Sequence, residues 1–425
     1  MTHHMIRPAV WCWLCLIVCV LTTTAQAEDW PRWRGPRGDG TWHGPRVTEK
    51  WPAEGLKTAW KADIGGGYGG ISVVGSRLYL MDFQQEPHPE ERVRCFDARS
   101  GTQIWMARYP VSYKGLDYPN GPRITPTVDE DRVYTLGSVG HACCLDAATG
   151  RVIWKKDPQA DYKVKLSEWG VAASPVIYQD LVIVHPGALE NGCLIAFNKL
   201  TGQEVWRSGT DPCGYSTPIV IDSPSGKQLV LWSPRHILGL DPRTGREYWR
   251  VPYEVTYGVS IATPIYHEEL LLVCGYWEGS KAIRLGQTPA DAKLAWEDSK
   301  HLRGLMSQPL YREGLVYLLD KQLGLTCFEL ATGKKLWDDQ HQMTPRGRNP
   351  QANLVWLDAG QSDRTIILNS EGELILARLN REGYHESART KIIEPTWAHP
   401  AFAGHRVYAR NDTQLVCVEL SIEAN

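Results

Sequence analysis

The sequence predicts an all-β fold, an eight-bladed β-propeller of four-stranded antiparallel blades closed by the N-terminal strand around Trp60. Three observations carry this reading. A motif of acid or Asn, two residues, Thr or Ser, Gly, three residues and Trp occurs as DARSGTQIW (97–105), DAATGRVIW (146–154), NKLTGQEVW (198–206), DPRTGREYW (241–249) and ELATGKKLW (329–337). The series Trp60, Trp105, Trp154, Trp206, Trp249, Trp296 and Trp337 advances in steps of 41 to 52 residues, the length of one blade. Composition agrees: 18 Trp and 18 Tyr against 5 Phe, with 39 Gly and 27 Pro, describe many short strands and turns rather than packed helices.

Residues 1–27 read as a secretory signal peptide. They open weakly basic (His3, His4, Arg7), continue with an apolar run from Ala9 to Leu21 that is short for a membrane span, and end in Ala25-Gln26-Ala27. An exported protein is expected, periplasmic or extracellular after cleavage near Ala27, with no membrane span in the mature chain. Residues 28–55 hold Trp30, Trp33, Trp42 and Trp51 among Arg, Gly and Pro, with neither strand nor helix period. Four exposed Trp would be a liability, so this segment is expected to pack as an irregular strap across the propeller; carbohydrate contact is the alternative.

Residues 56–425 form the propeller. Each unit opens with a strand, polar turn, strand pattern, at 124–136, 173–185, 262–274, 307–319 and 399–410, with a shorter trace at 216–221. A third strand such as HACCLD or LTCFEL runs into the acidic residue. There Asp or Asn bonds its own backbone and Gly takes φ > 0, which reverses the chain into a fourth strand. The Trp of that strand is expected to cover the neighbouring blade. Two copies are degenerate: DAKLAW (291–296) replaces the turn with a longer loop, and RLNREGYHE (378–386) puts Tyr384 near the Trp position. The first unit, LKTAWKADI (56–64), lacks upstream strands, and the last, LVCVEL (415–420), lacks a fourth strand. The two halves complement one another and close the ring.

Outside the signal segment stand Cys95, Cys143, Cys144, Cys193, Cys213, Cys274, Cys327 and Cys417, an even number that in an exported chain invites disulfides. Four of them, Cys95, Cys144, Cys327 and Cys417, occupy the slot two residues before the acidic position, where other units carry Ala196 or Gly239. The slot takes small side chains, and free thiols are expected there.

The D-x-x-T-G-x-x-x-W copies and the Thr-Pro or Ser-Pro strand starts resemble the pyrroloquinoline quinone (PQQ) type β-propeller, over residues 56–425. That family includes quinoprotein alcohol dehydrogenases and BamB-like exported proteins. The opening DWPRWRGPRGDG (29–40) is similar to the start of many exported planctomycete proteins of this type. For a dehydrogenase the resemblance implies calcium on carboxylate and amide oxygens, a catalytic aspartate, a stacking Trp and often a vicinal disulfide. Cys143-Cys144 is vicinal, but it lies inside a third strand and reads as two core thiols.

Fold does not settle function. A formal charge of −2 without a basic block argues against nucleic acid. The sequence contains no H-E-x-x-H, G-x-S-x-G, C-x-x-C-H or P-loop motif. The loops entering the innermost strands converge on one mouth of the ring and supply the candidate binding residues. These are Tyr68, Tyr118, Arg123, Glu168, Trp169 and Tyr215 from the first half of the chain, and Tyr257, Arg303, Arg348, Trp397 and His399 from the second. Glu168, Asn120 and Asn349 are the candidate oxygen ligands for a hard cation. Tyr113, Lys114, Lys163, Lys165 and Arg346 extend the aromatic and basic character of the loops. Such residues anchor interfaces once desolvated, and long loops on a rigid scaffold are where binding usually resides. The expectation is a monomeric, non-enzymatic exported scaffold that presents its inter-blade loops to a protein or cell-envelope partner and needs no cofactor. The alternative is a PQQ-dependent oxidoreductase of the alcohol or sugar dehydrogenase type, with PQQ and calcium.

Overall fold

The computed structural model describes residues 27–423 except Lys163, Lys165, Leu189 and Leu305. The signal-peptide reading therefore falls, up to residue 26, outside the described residues, as do Lys163 and Lys165. The described residues form eight four-stranded antiparallel sheets arranged as the blades of a propeller. In blade 1 the strands Ser72–Val74, Arg77–Gln84, Glu90–Asp97 and Gln103–Pro110 follow in order. First strands of neighbouring blades approach one another, which places them at the centre of the ring. Blade 8 is built from both chain ends: Ala401–Ala403, Arg406–Arg410 and Gln414–Glu419 are completed by Thr58–Asp63, with Trp60 opposite Cys417. Backbone pairing between the two ends closes the ring and covers the edge of Gln414–Glu419.

The repeated motif is an inter-blade clasp. The glycine of each Thr-Gly or Ser-Gly turn has φ near +70° and lies against the Trp ring of the preceding blade, so that a Cβ on Gly150 would stand 2.5 Å from the Trp105 ring and one on Gly202 2.7 Å from that of Trp154. In four of the five clasps the indole N–H also donates to a carbonyl of the same turn: Trp60 to Ala98 (3.2 Å), Trp105 to Ala147 (3.1 Å), Trp154 to Lys199 (3.0 Å) and Trp296 to Leu330 (2.8 Å), whereas Trp206 packs on Gly245 without such a bond. Glycine is required twice over, by the left-handed backbone and by the ring that occupies the Cβ position. Where blade 5 replaces its turn with a loop, Trp249 of blade 4 has no turn to clasp and donates to Gln228 of its own blade.

Blade 7 corrects one expectation. The residue in register with the Trp position is Ala388, opposite Leu376, and Tyr384 sits at the start of the strand opposite Leu379. The N-terminal segment lies against the outer strand of blade 7 here: a Cβ on Gly55 would stand 2.8 Å from Thr390, Ser387 donates to Glu49, and Trp51 and Leu56 pack against the same core cluster as Ala388. Leu376 stands in the slot that Cys or Ala occupies elsewhere, and the facing residue is the small Ala388 rather than Trp.

The core lies between blades rather than in one centre. Tyr79, Met81, Cys95 and Trp105 of blade 1, for example, pack with Val133, Leu136, Cys144 and Trp154 of blade 2. All eight described cysteines are buried free thiols. Cys143 and Cys144 lie in the strand Ala142–Asp146, and burial pushes their thiols up to about 12 and about 11, so both stay protonated and unreactive.

The strap runs through the ring. Trp30 exchanges backbone hydrogen bonds with Val73 of blade 1, Pro31 accepts from Val128 of blade 2, and the Trp33 indole donates to Thr263 beside blade 5 (2.8 Å). Arg34 donates to Pro309 O beside blade 6 (2.6 Å), and Gly40 and Trp42 bond Trp356 of blade 7. Trp30 and Trp42 are fully buried. They pack against apolar residues of blades 7, 8 and 1 and offer no free face for a sugar.

Candidate functional site

The loops that enter the first strands, together with hairpin turns on the same side, surround a cavity of about 760 Å³ at the mouth of the ring. Trp33 of the strap reaches its lining from within, so the strap contributes to the floor. A recess of about 260 Å³ adjoins it, sharing Tyr68, Tyr118 and Trp397 and extending to Asn120 and Asp412.

Aromatic rings stand at three stations. Trp397 is shared by Tyr68 (5.8 Å between centroids) and Tyr118 (5.9 Å), with the Arg123 guanidinium over the Tyr68 ring. Trp169 pairs with Tyr215 (5.8 Å). Trp277 pairs with Tyr257 (6.4 Å) and Tyr276 (4.7 Å), and the Lys321 ammonium lies 3.2 Å from the Trp277 ring centre. Tyr118 and Tyr257 are 42% and 70% exposed and hold φ of 51° and 57°, a backbone conformation that costs of order 1–3 kcal/mol for a non-glycine residue. Two tyrosines are thus held outward at the rim on strained backbone.

The polar lining divides into rim and floor. On the rim, Asp117 N–H donates to Glu168 O (2.9 Å), and desolvation followed by a side-chain hydrogen bond with Asp117 raises the Glu168 carboxyl. Arg123 is fixed by the carbonyls of Gly121, Asp117 and Tyr118, and burial lowers its pKa. The floor carries Gln308, Gln351, Asn353 and His399. His399 is 4% exposed, packs edge-on to Trp33 at 4.7 Å, and has no hydrogen-bond partner on either ring nitrogen. Burial, helped by the Arg34 charge, pushes its pKa down to about 3, which keeps the imidazole neutral.

Of the residues expected from sequence, Tyr68, Tyr118, Arg123, Glu168 and Trp169 line this cavity, as do Tyr215, Tyr257, Arg348, Trp397 and His399. Arg303 does not: its guanidinium is held by Ser299 O, and its carbonyl accepts from Lys321 N–H. Lys321 from the next turn lines the cavity instead. Sequence reasoning missed Lys321, Tyr276 and Trp277 because it followed only the loops into the first strands. The hairpin turns between second and third strands face the same mouth, and Tyr276-Trp277 beside Gly279 was the available signal.

Asn120 is bonded to Asp412, Glu168 neighbours Asp117 on the rim, and Asn349 comes from the far side of the ring. Among the described residues no three His, Cys, Asp or Glu side chains are grouped to hold a metal ion.

The rim loop carrying Tyr118 and Arg123 is anchored from below by Glu91, a fully buried carboxylate that accepts from Tyr109 (2.5 Å), Tyr113 (2.6 Å) and Ser138 N–H (2.8 Å). Hydrogen bonds to a charged group contribute about 1.5–3 kcal/mol each. Glu91→Ala is expected to cost about 2–4 kcal/mol and to speed hydrogen exchange of residues 111–121 selectively, as read by mass spectrometry.

The profile of the family described as outer membrane protein assembly factor BamB matches residues 89–338 and 233–423. The chain belongs to the BamB family. A BamB from Yersinia pestis is 23% identical over 296 residues, covering 65% of this chain and 70% of that protein. The quinohemoprotein alcohol dehydrogenase ADH-IIG of Pseudomonas putida is 30% identical over 201 residues, 42% of this chain and 27% of the relative, so the chain spans about a quarter of that enzyme's length. The fold is similar to the crystal structure of BamB from Moraxella catarrhalis (TM-score 0.57, 16% identity, covering 87% of this chain and 99% of that one). It is also similar to a europium-containing methanol dehydrogenase (TM-score 0.68, 13% identity, 91% and 90% covered). The BamB family and the dehydrogenases thus share this propeller, and among the described residues no helix is long and apolar enough to cross a membrane.

Proposed function

We propose that this member of the BamB family is an exported binding propeller, located in the cell envelope, that holds a partner at the mouth of its ring rather than catalysing a reaction. The observation that carries this reading is the mouth itself: three aromatic stations and the cations Arg123, Lys321 and Arg348 converge on one cavity, with Tyr118 and Tyr257 held outward. Aromatics and arginines of this kind supply most of the binding energy of interfaces once water is excluded. The dehydrogenase alternative draws support from its relatives; its candidate oxygen ligands Asn120, Glu168 and Asn349 come from three separate loops, and Cys143 and Cys144 are buried free thiols within a strand.

The test is photocrosslinking in intact envelopes. A photoreactive residue in place of Tyr257, 70% exposed at the mouth, is expected to yield specific adducts, whereas one in place of Val205, 51% exposed on an outer strand, is expected to yield none. Adducts from position 205 with none from position 257 would move the binding surface to the rim of the blades.

A further inference from the structure

Resting on that reading of the mouth as a binding site, we infer that its ligand is an anionic oligosaccharide, a chain of pyranose rings bearing carboxylate or sulfate groups. The argument begins with the geometry of the rings. A flat heteroaromatic ligand needs two parallel faces, but the ring pairs of the cavity meet at 32° (Tyr68 and Trp397), 44° (Tyr118 and Trp397), 58° (Trp169 and Tyr215) and 60° (Tyr257 and Trp277). Separate, differently tilted platforms suit successive sugar rings, each of which presents one apolar C–H face. The volume of about 760 Å³ lies within the ~300–1,000 Å³ of sites that enclose a small ligand, whereas a protein partner needs roughly 800 Å² of surface on each side.

Charge supplies the second argument. Arg123, Lys321 and Arg348 line the cavity, and none is within ion-pair distance of a carboxylate among the described ion pairs. Lys321 is held instead over the rings of Tyr276 (4.2 Å) and Trp277 (3.2 Å); the Glu278 carboxylate acts on it only from a distance and forms no ion pair with it, accepting hydrogen bonds from Thr256 instead. Two acids, Asp117 and Glu168, also line this space, but they come from the loops entering blades 2 and 3, whereas Lys321 and Arg348 come from blade 6 and the loop entering blade 7, on the other side of the ring.

The floor supplies the third. His399 is more than nine-tenths buried, lines the cavity, and has both ring nitrogens unpartnered. A neutral imidazole offers one donor and one acceptor, the pair that a sugar hydroxyl requires. Desolvating such a ring without partners costs free energy that a bound hydroxyl recovers. Gln308, Gln351 and Asn353 set side-chain amides beside it, the other group that reads hydroxyls in both senses.

The test is calorimetry on the purified protein with four probes: tetragalacturonic acid, a sulfated carrageenan tetrasaccharide, neutral maltotetraose and pyrroloquinoline quinone. At least one anionic tetrasaccharide is expected to bind tenfold or more tightly than maltotetraose, a margin of about 1.4 kcal/mol, and this margin should shrink as salt rises. The carboxylate and sulfate arms tell the two sources of charge apart. The double variant Lys321→Gln, Arg348→Gln should erase the margin with an unchanged urea midpoint, while Trp397→Ala weakens every saccharide. Equal affinity for maltotetraose, or tighter binding of the quinone than of any saccharide, overturns the inference. If no saccharide binds a protein that still crosslinks through position 257, the inference falls and the binding mouth stands; if crosslinking from the mouth fails as well, both fall.

Discussion

Gly150→Ala is expected to cost about 2–5 kcal/mol, far more than a surface glycine should, because two penalties coincide. The left-handed backbone at φ +73° disfavours any Cβ by roughly 1–2 kcal/mol. The new methyl would also stand 2.5 Å from the Trp105 ring, and overpacking of this kind costs typically about 1–3 kcal/mol. The ring cannot retreat without loosening its hydrogen bond to Ala147 O (3.1 Å) and the contact between blades 1 and 2. Gly75→Ala separates the two terms, since that glycine also has positive φ (+57°) but nothing within 4 Å of its Cβ position. Urea unfolding should show Gly75→Ala losing only the backbone part, roughly 1–2 kcal/mol. Equal losses at the two sites would mean that the Trp clasp contributes nothing at this turn.

The second large effect is expected at Asp82, whose carboxylate is fully buried at the junction of blade 1 with blade 8. It accepts from Arg92 Nε (2.6 Å) and Nη2 (2.9 Å), Arg94 Nη1 (3.0 Å) and Gly65 N–H (2.8 Å). Arg410 of blade 8 donates to the neighbouring carbonyls of Met81 and Gly65, so the network spans the closure of the ring. Asp82→Ala leaves two guanidinium groups near the interior without their anion, and breaking a buried pair from one side costs about 3–5 kcal/mol. The pH dependence follows from the direction of the shift. Burial alone would raise the Asp82 carboxyl, but the hydrogen bonds and charge of Arg92, the Gly65 amide and Arg94 outweigh it and hold the pKa below its ordinary value. A carboxylate depressed in the folded state contributes stability that is full above the unfolded value, near 3.9, and is lost as pH falls through the folded one. The urea midpoint of the wild type should therefore drop more steeply than that of Asp82→Ala between pH 5 and pH 2. Parallel curves would remove Asp82 as a source of acid sensitivity.

The propeller was legible in the sequence because a blade is a local object. Asp, Thr-Gly and Trp act within nine residues of one another, and the same physics repeats at each turn, so the period appears without knowledge of any neighbour. Closure by Trp60 was legible because two incomplete units can satisfy only each other. The Tyr384 reading failed for the opposite reason: what the outer strand of blade 7 must cover is the segment around Glu49 to Leu56, more than three hundred residues away in the chain.

The mouth was partly legible, since loops entering first strands must converge once a ring exists. Arg303 and Lys321 show the limit. Both lie near the mouth, but Ser299 O holds the Arg303 guanidinium, while Lys321 lies over Tyr276 and Trp277 and faces the cavity. Trp33 shows it more strongly, because a strap without periodicity carries no signal that this ring meets His399 on the floor. The sequence by itself determined the number of blades, their strand order and their clasps, all of which depend on short-range turn chemistry and a repeated ring. Tertiary structure alone decided that Lys321, Tyr276 and Trp277 join the channel mouth while Arg303 does not, that His399 loses its partners beside Trp33, and which cations stand without an ion pair, because each depends on groups brought together from distant blades.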